Sequence, residues 1–323
     1  DAASDCIACG VGKYSIEVGS ANATNCIDCV AGRYVESEGS DEETDCILCG
    51  AGKYSIEIGS PTEADCIECV AGKYLTVEGG DAEAECLLCG VGKYSSVVGS
   101  FDQSNCTDCV AGKHLASEGN DAASDCIACG VGKYSSVSGS SAVDDCIDCV
   151  AGRYVESEGS DEETDCILCG AGKFSTSVAG GAASVCLDCA AGKFSASVGN
   201  SQASDCTDCA VGKYIDVLGS DSPMDCIGCV AGRYVGATGS DDAADCIECA
   251  AGSVTDTTTG AGAAVCTPCL PGSFSAVSTE ACTPCGAGKY SSAVGIATAD
   301  DCISCSAGTY VVEAGSDELA DCI

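Results

Sequence analysis

The thirty-three cysteines of this 323-residue chain are the side chains whose type and spacing set up chemistry along its length. They come as C-x-x-C pairs that begin at Cys6, Cys26 and Cys46 and recur every twenty residues to Cys266. Cys282 follows after sixteen residues, and the spacing of twenty resumes at Cys302 and Cys322. Thiols so arranged can form disulfides, bind zinc or exchange disulfides. Two such pairs sixteen residues apart fit a four-cysteine zinc site, but an unbroken tandem run with few basic residues does not suit a zinc ribbon that grips nucleic acid. Thiol exchange needs a low-pKa cysteine in a special setting, and sixteen equivalent pairs argue for a structural use. Cysteine at more than a tenth of the residues marks a disulfide scaffold in an oxidising compartment.

The sequence leaves the pairing open, and counting suggests two arrangements. If each second cysteine joins the next first one (Cys9 to Cys26, Cys29 to Cys46, Cys49 to Cys66, and onward to Cys305 with Cys322), sixteen bonds use every thiol except Cys6. The alternative nests Cys6 to Cys29 around Cys9 to Cys26. It suits a forty-residue unit, which the alternation of Gly10, Val30, Gly50 and Val70 after the second cysteine also suggests. Residues 1–15 recur unchanged at 121–135, so repetition takes precedence over any single motif.

The remaining reactive side chains are just as periodic. All 13 cations occupy one position, from Lys13, Arg33 and Lys53 to Lys289, against 50 carboxylates and a net charge of −37. Within a repeat the cation pairs with the carboxylate before the next cysteine or stacks on the neighbouring ring, worth at most about 1 kcal/mol when exposed. In phase along an array, cations and acids form complementary stripes for lateral assembly. An acid precedes the first cysteine in twelve of seventeen repeats. Those oxygens are expected to cap a turn, with weak calcium binding at millimolar extracellular concentration as their other use. The single histidine, His114, replaces an aromatic residue and has no catalytic companion, so the chain is read as no enzyme and as needing no cofactor. Nucleic acid and anionic membranes are poor partners for such a charge.

Glycans are better ones. Asn22-Ala23-Thr24 and Asn105-Cys106-Thr107 are acceptor sequons for N-linked sugar, and the threonines at 255 and 257–259 suit O-linked sugar.

The elements that position these groups must be small. A glycine stands three residues after every second cysteine, from Gly12 to Gly308, and marks positive φ or close chain approach. Two residues later an aromatic fills the slot, as Tyr14, Tyr34 and Tyr54 do. One ring, one isoleucine and in some units one valine make a core too small to offset the chain's conformational entropy, so disulfides must supply the difference. Segments such as Lys13 to Val18, bounded by Gly12 and Gly19, allow only short strands. The fold class expected is small disulfide-rich repeats, an elongated tandem array of modules of about twenty residues with short β-strands and turns and little or no helix. Thirteen repeats fill 1–265 with an incomplete first unit. A shortened unit spans 266–281, and two further repeats with a truncated start of the next fill 282–323. Because the chain opens and closes inside a repeat, it reads as a window on a longer protein.

The stretch C-G-V-G-K-Y-S from Cys9 to Ser15, closing at Cys26, resembles the single-disulfide module of tumour-necrosis-factor-receptor cysteine-rich domains and, more closely, ephrin-receptor-like cysteine-rich repeats. The resemblance covers essentially the whole chain. It implies a tight turn between two short strands and an aromatic packed on the disulfide, the role it gives to Tyr14, Tyr34 and Tyr54. The proline that often follows the cysteine is absent from most repeats, and the two-disulfide module of the receptor proteins is missing.

The function expected is structural and extracellular or at the cell surface: a stiff glycosylated rod packed with copies of itself or related chains into a filament, sheath or surface appendage. Lys13, Arg33, Lys53, Tyr14, Tyr34 and Tyr54 are the residues assigned to assembly. The competing reading is a spacer or ligand-binding ectodomain of a receptor or adhesion protein.

Overall fold

A computed structural model describes residues 7–20, 22–257 and 260–323; Cys6 and two of the threonines assigned to O-linked sugar, Thr258 and Thr259, lie outside them. Every local element is as short as its sequence allows. Among the described residues there are fifteen two-stranded antiparallel hairpins and no helix beyond three-residue 3-10 turns. In the first hairpin Lys13–Tyr14 pairs with Ile27–Asp28, in the register Lys13 with Asp28 and Tyr14 with Ile27, and the 3-10 turn Ala23–Asn25 lies between them. The hairpin is two residues wide because Gly12, at φ 80°, and Gly19, at φ 76°, break extended structure on both sides.

Sixteen disulfides staple the described residues, each joining the second cysteine of one pair to the first of the next. Cys29 is bonded to Cys46, which excludes the nested arrangement. The short unit keeps the same logic: Cys269 joins Cys282 across 13 residues instead of 17. The chain forms these as small disulfide-rich repeats, and backbone contacts group them into two units, 1–149 with 155–166 and 150–154 with 167–323.

Inside each unit the modules interlock and are not independent beads. Gly12 N–H donates to Val35 O at 2.8 Å, Ser15 N–H to Ser40 O at 3.1 Å, and Gly39 N–H to Cys9 O at 2.8 Å. Tyr14 thereby bridges in parallel to Ser40 of the following loop, and thirteen more bridges of this kind recur, from Tyr34 with Ser60 to Tyr290 with Ser316. A third module joins the contact, because Gly59 O sits 2.1 Å from where a Cβ on Gly12 would stand.

The core corrects the expectation of a ring, an isoleucine and a valine. The second cysteines Cys29, Cys49, Cys69, Cys89 and Cys109 are completely buried. The ring seals the disulfide of the next module: Tyr14 packs on Cys29, Val35 and Cys46, and Tyr54 on Cys69, Leu75 and Cys86. The isoleucines lie outside, with Ile27 45% and Ile47 51% exposed. Their strands explain it, since successive side chains alternate faces and each follows a first cysteine that points inward.

An alternation of forty residues also appears at one buried position. Val35, Leu75, Leu115 and Val155 occupy it in alternate modules, and Ser55, Ser95 and Ser135 in those between. A buried hydroxyl needs a partner. Ser55 Oγ lies 3.2 Å from Ser60 Oγ, Ser95 Oγ 3.3 Å from Ser100 Oγ, and Ser135 Oγ 3.1 Å from Ser140 Oγ.

Candidate interaction surface

With the interior given to sulfur, the outer faces carry whatever the protein does. Eight of the 13 cations are engaged with acids of their own hairpins. Lys13 Nζ lies 2.6 Å from Asp28 Oδ1 and Lys93 Nζ 2.6 Å from Asp108 Oδ1, pairs that sit directly opposite across the two-stranded ladder. Lys133, Lys173 and Lys193 pair in the same way with Asp148, Asp188 and Asp208. These acids follow the first cysteine. Lys53 and Lys73 instead take an acid preceding it, Glu63 and Glu83, each at 3.2 Å. Arg33 Nη1 donates to Cys46 O at 3.4 Å.

The three rings assigned to assembly face inward or along the ladder. Tyr54 is 9% exposed, and Tyr14 and Tyr34 are half-buried opposite Ile27 and Ile47. His114 takes a ring position too, 7% exposed and paired with Ile127, and its Nδ1 is buried without a hydrogen-bond partner.

Carboxylates before the first cysteine close the 3-10 turns. Asp45 Oδ2 accepts from the amides of Asp41 and Glu42 at 3.0 and 3.1 Å, and Asp65 Oδ2 accepts from that of Thr62 at 2.9 Å. Asn105 performs the same task, its Oδ1 accepting from Asp102 N–H at 3.0 Å, while Asn22 Oδ1 accepts from Thr24 N–H at 3.1 Å. Both sequon asparagines therefore cap turns, and Cys106, inside the second sequon, is buried in its bond to Cys89. Among the described residues no three metal-ligating side chains converge.

At Asp145 the cap is strong enough to move a proton equilibrium. Its Oδ2 accepts from Ala142 N–H at 2.9 Å and Ser141 N–H at 2.7 Å. These backbone bonds, Ala142 foremost, hold the carboxyl below the usual carboxylate range. A depressed folded-state value means that the cap contributes fully above the ordinary value of about 3.9 and is lost as pH falls through the lower, folded value. A titration followed at the Ala142 amide by NMR should show its midpoint below about 3.9, and Asp145→Asn should abolish the step while keeping the cap, as Asn105 does naturally. A midpoint at or above the ordinary value refutes the cap's electrostatic role.

What sequence reasoning missed is the aliphatic surface. Ile27, Ile47, Ile67, Ile127, Ile147 and Ile167 are all 45–57% exposed in one repeating position, and Val30, Val70, Val110 and Val150 are 56–63% exposed in another. The signal was present: a large aliphatic residue beside an inward-facing cysteine in a two-residue strand must point out. Shallow clefts recur beside this row. One is lined by Glu36, Glu38, Asp41, Asp45 and the exposed Ile47, with the buried Val35 behind them. The corresponding residues of the next module, Ser55, Ile56, Glu57, Asp65 and Ile67, line another, and Val311, Val312, Glu313, Asp317, Asp321 and Ile323 line a third.

Residues 272–322 match the family model described as tyrosine-protein kinase ephrin type A/B receptor-like. The matched stretch contains the disulfides Cys285–Cys302 and Cys305–Cys322, whose geometry is that of the modules before it. No curated protein matches the chain. Residues 272–322 are thus similar to ephrin-receptor-like cysteine-rich repeats, and with sixteen disulfides the array points to an extracellular or cell-surface chain and to a non-catalytic structural or receptor-type domain. No helix among the described residues is long and apolar enough to cross a membrane.

Proposed function

We propose that this array of ephrin-receptor-like repeats is a structural protein of the cell exterior, a stiff glycosylated element that packs side by side with copies of itself or with partner chains into a filament, sheath or surface appendage. The observation that supports it most is the sameness of the surface. An exposed aliphatic side chain recurs in one position from Ile27 to Ile303, broken by threonine at 107, 207, 267 and 283, and residues 1–15 are repeated unchanged at 121–135. A receptor site concentrates its energy in one distinguishable patch, whereas an assembly face gains by offering the same small contact many times. N-linked sugar at Asn22 and Asn105 would sit at turn caps, outside the disulfide interior.

Electron micrographs of native, unreduced material test the reading. Regular lateral arrays containing this chain, alone or with a second chain, are the expected result. Single strands, each ending in a distinct ligand-binding head with no lateral order, would replace it with the spacer reading.

A further inference from the structure

We infer that the lateral partner is a basic chain bearing aliphatic side chains, and not a second copy of this protein; the inference rests on the assembly reading above and names its partner. The clefts carry it. Ile47 offers its exposed aliphatic side chain to one of them, lined also by Glu36, Glu38, Asp41 and Asp45, and no lysine or arginine lines it. The cleft at Ile56 and Ile67 and that at Val312 and Ile323 are likewise apolar and acidic, and likewise without a cation. One module's cleft could be an accident of loop length. What all three share is the exposed isoleucine, at Ile47, Ile67 and Ile323, beside the acid two residues before it, at Asp45, Asp65 and Asp321.

A second copy cannot supply what these clefts lack. Eight of its 13 cations have an acid partner within their own hairpin, as Lys13 has Asp28 and Lys133 has Asp148, and each copy carries a net charge of −37. Salt screens exposed charges only beyond about 8 Å, so acids brought to contact across two identical clefts would still repel. A chain in which lysine or arginine alternates with aliphatic residues matches both features. Its ammonium or guanidinium groups meet the acid walls and set the rate of encounter, and its aliphatic side chains cover the exposed isoleucines, where the affinity lies.

The test uses the intact, oxidised chain with two synthetic peptides of equal length and charge, one alternating lysine with leucine and the other lysine with serine. Fluorescence anisotropy at low and high salt should show the lysine–leucine peptide binding at least about tenfold more tightly, with both affinities falling as salt rises. Replacing Ile27, Ile47, Ile67, Ile127, Ile147 and Ile167 together by threonine should remove most of that difference. Threonine already occupies the position at Thr107 and Thr207, so the fold tolerates it. Equal binding of the two peptides, or a preference that the threonine variant keeps, overturns the inference. Sedimentation of the chain alone separates the two readings. Self-association without any peptide overturns the basic partner and leaves lateral assembly standing, and a monomer that takes up neither peptide removes both.

Discussion

Gly72→Ala should unfold the chain locally, with a cost of at least about 3 kcal/mol around the substituted module. Two terms add. Gly72 has φ 81°, a left-handed conformation that costs a residue with a Cβ about 1–2 kcal/mol. The new Cβ would also stand 2.3 Å from Gly119 O and 2.8 Å from Gly119 C, both backbone atoms two modules ahead. Neither side can give way easily, because Gly72 N–H donates to Ser95 O and Gly72 O accepts from Cys89 N–H, each at 2.8 Å. Gly50→Ala is the internal control: no heavy atom lies within 4 Å of its added Cβ, and Val30 and Val70 occupy the equivalent position naturally. Hydrogen exchange should show lost protection at Cys89 and Gly99 for Gly72→Ala and a change within about 0.5 kcal/mol for Gly50→Ala. Equal effects of the two substitutions would show that close approach of the modules plays no part in holding them.

Removing one staple should come next in size. The double substitution Cys69→Ser and Cys86→Ser opens a loop of 17 residues, and loop-closure entropy assigns about 3 kcal/mol to a bond of that span. It also places two hydroxyls in the cluster where Tyr54 and Leu75 pack on the sulfurs, with Cys69 0% exposed. The loss should spread both ways along the chain. Cys69 N–H donates to Gly52 O at 2.9 Å, and Gly99 N–H donates to Cys69 O at 2.8 Å, so the cysteine's backbone anchors a glycine on each side. In a repeat array stability is a sum of local terms, and a single global midpoint blurs them. Limited proteolysis is the better measure: cleavage between residues 69 and 86 should accelerate roughly a hundredfold, with smaller increases in the flanking loops. An unchanged cleavage pattern would mean that packing alone holds the module.

Much of this was legible in the sequence, because a period of twenty fixes so much at once. The position of Gly12 announced an unusual backbone conformation, and its φ of 80° supplies one. The acids before the first cysteine announced turn caps, found at Asp45 and Asp65. Cysteine spacing left two pairings open, and only the bond from Cys29 to Cys46 separates them. Other features were hidden for physical reasons. The Tyr14 ring leaves its own disulfide for the next, at Cys29 and Cys46, and a repeat looks the same whichever neighbour its ring chooses. The isoleucines were placed in the core on hydrophobicity alone, although each directly follows a first cysteine that turns inward, as Ile47 follows Cys46, and alternation then turns the isoleucine out. The approach of Gly12 to Gly59 spans more than two periods, and such a separation leaves no local trace. At the surface, the sequence displayed the cation row plainly but not that Lys13, Lys93, Lys133, Lys173 and Lys193 are committed to carboxylates directly across their own hairpins.

The two irregular modules show where the array bears a change of length. Among the described residues, the 3-10 turn is absent between Ser253–Thr255 and Cys266–Pro268 and between Ser273–Phe274 and Thr283–Pro284; the glycine approach survives into the first, from Gly212 to Gly262, and past the second, from Gly252 to Gly295, while in the second Gly232 meets the side chains of Ser278 and Thr279 in place of a glycine. Slippage during DNA replication is the usual hazard for a gene of near-identical units. Here a codon gained or lost in the segment leading to the first cysteine is absorbed by that one connection, whereas the same event between a second cysteine and its hairpin would set the glycine out of step with its mate two units on. Heredity is thus left free to lengthen or shorten the connection and constrained nearly everywhere else.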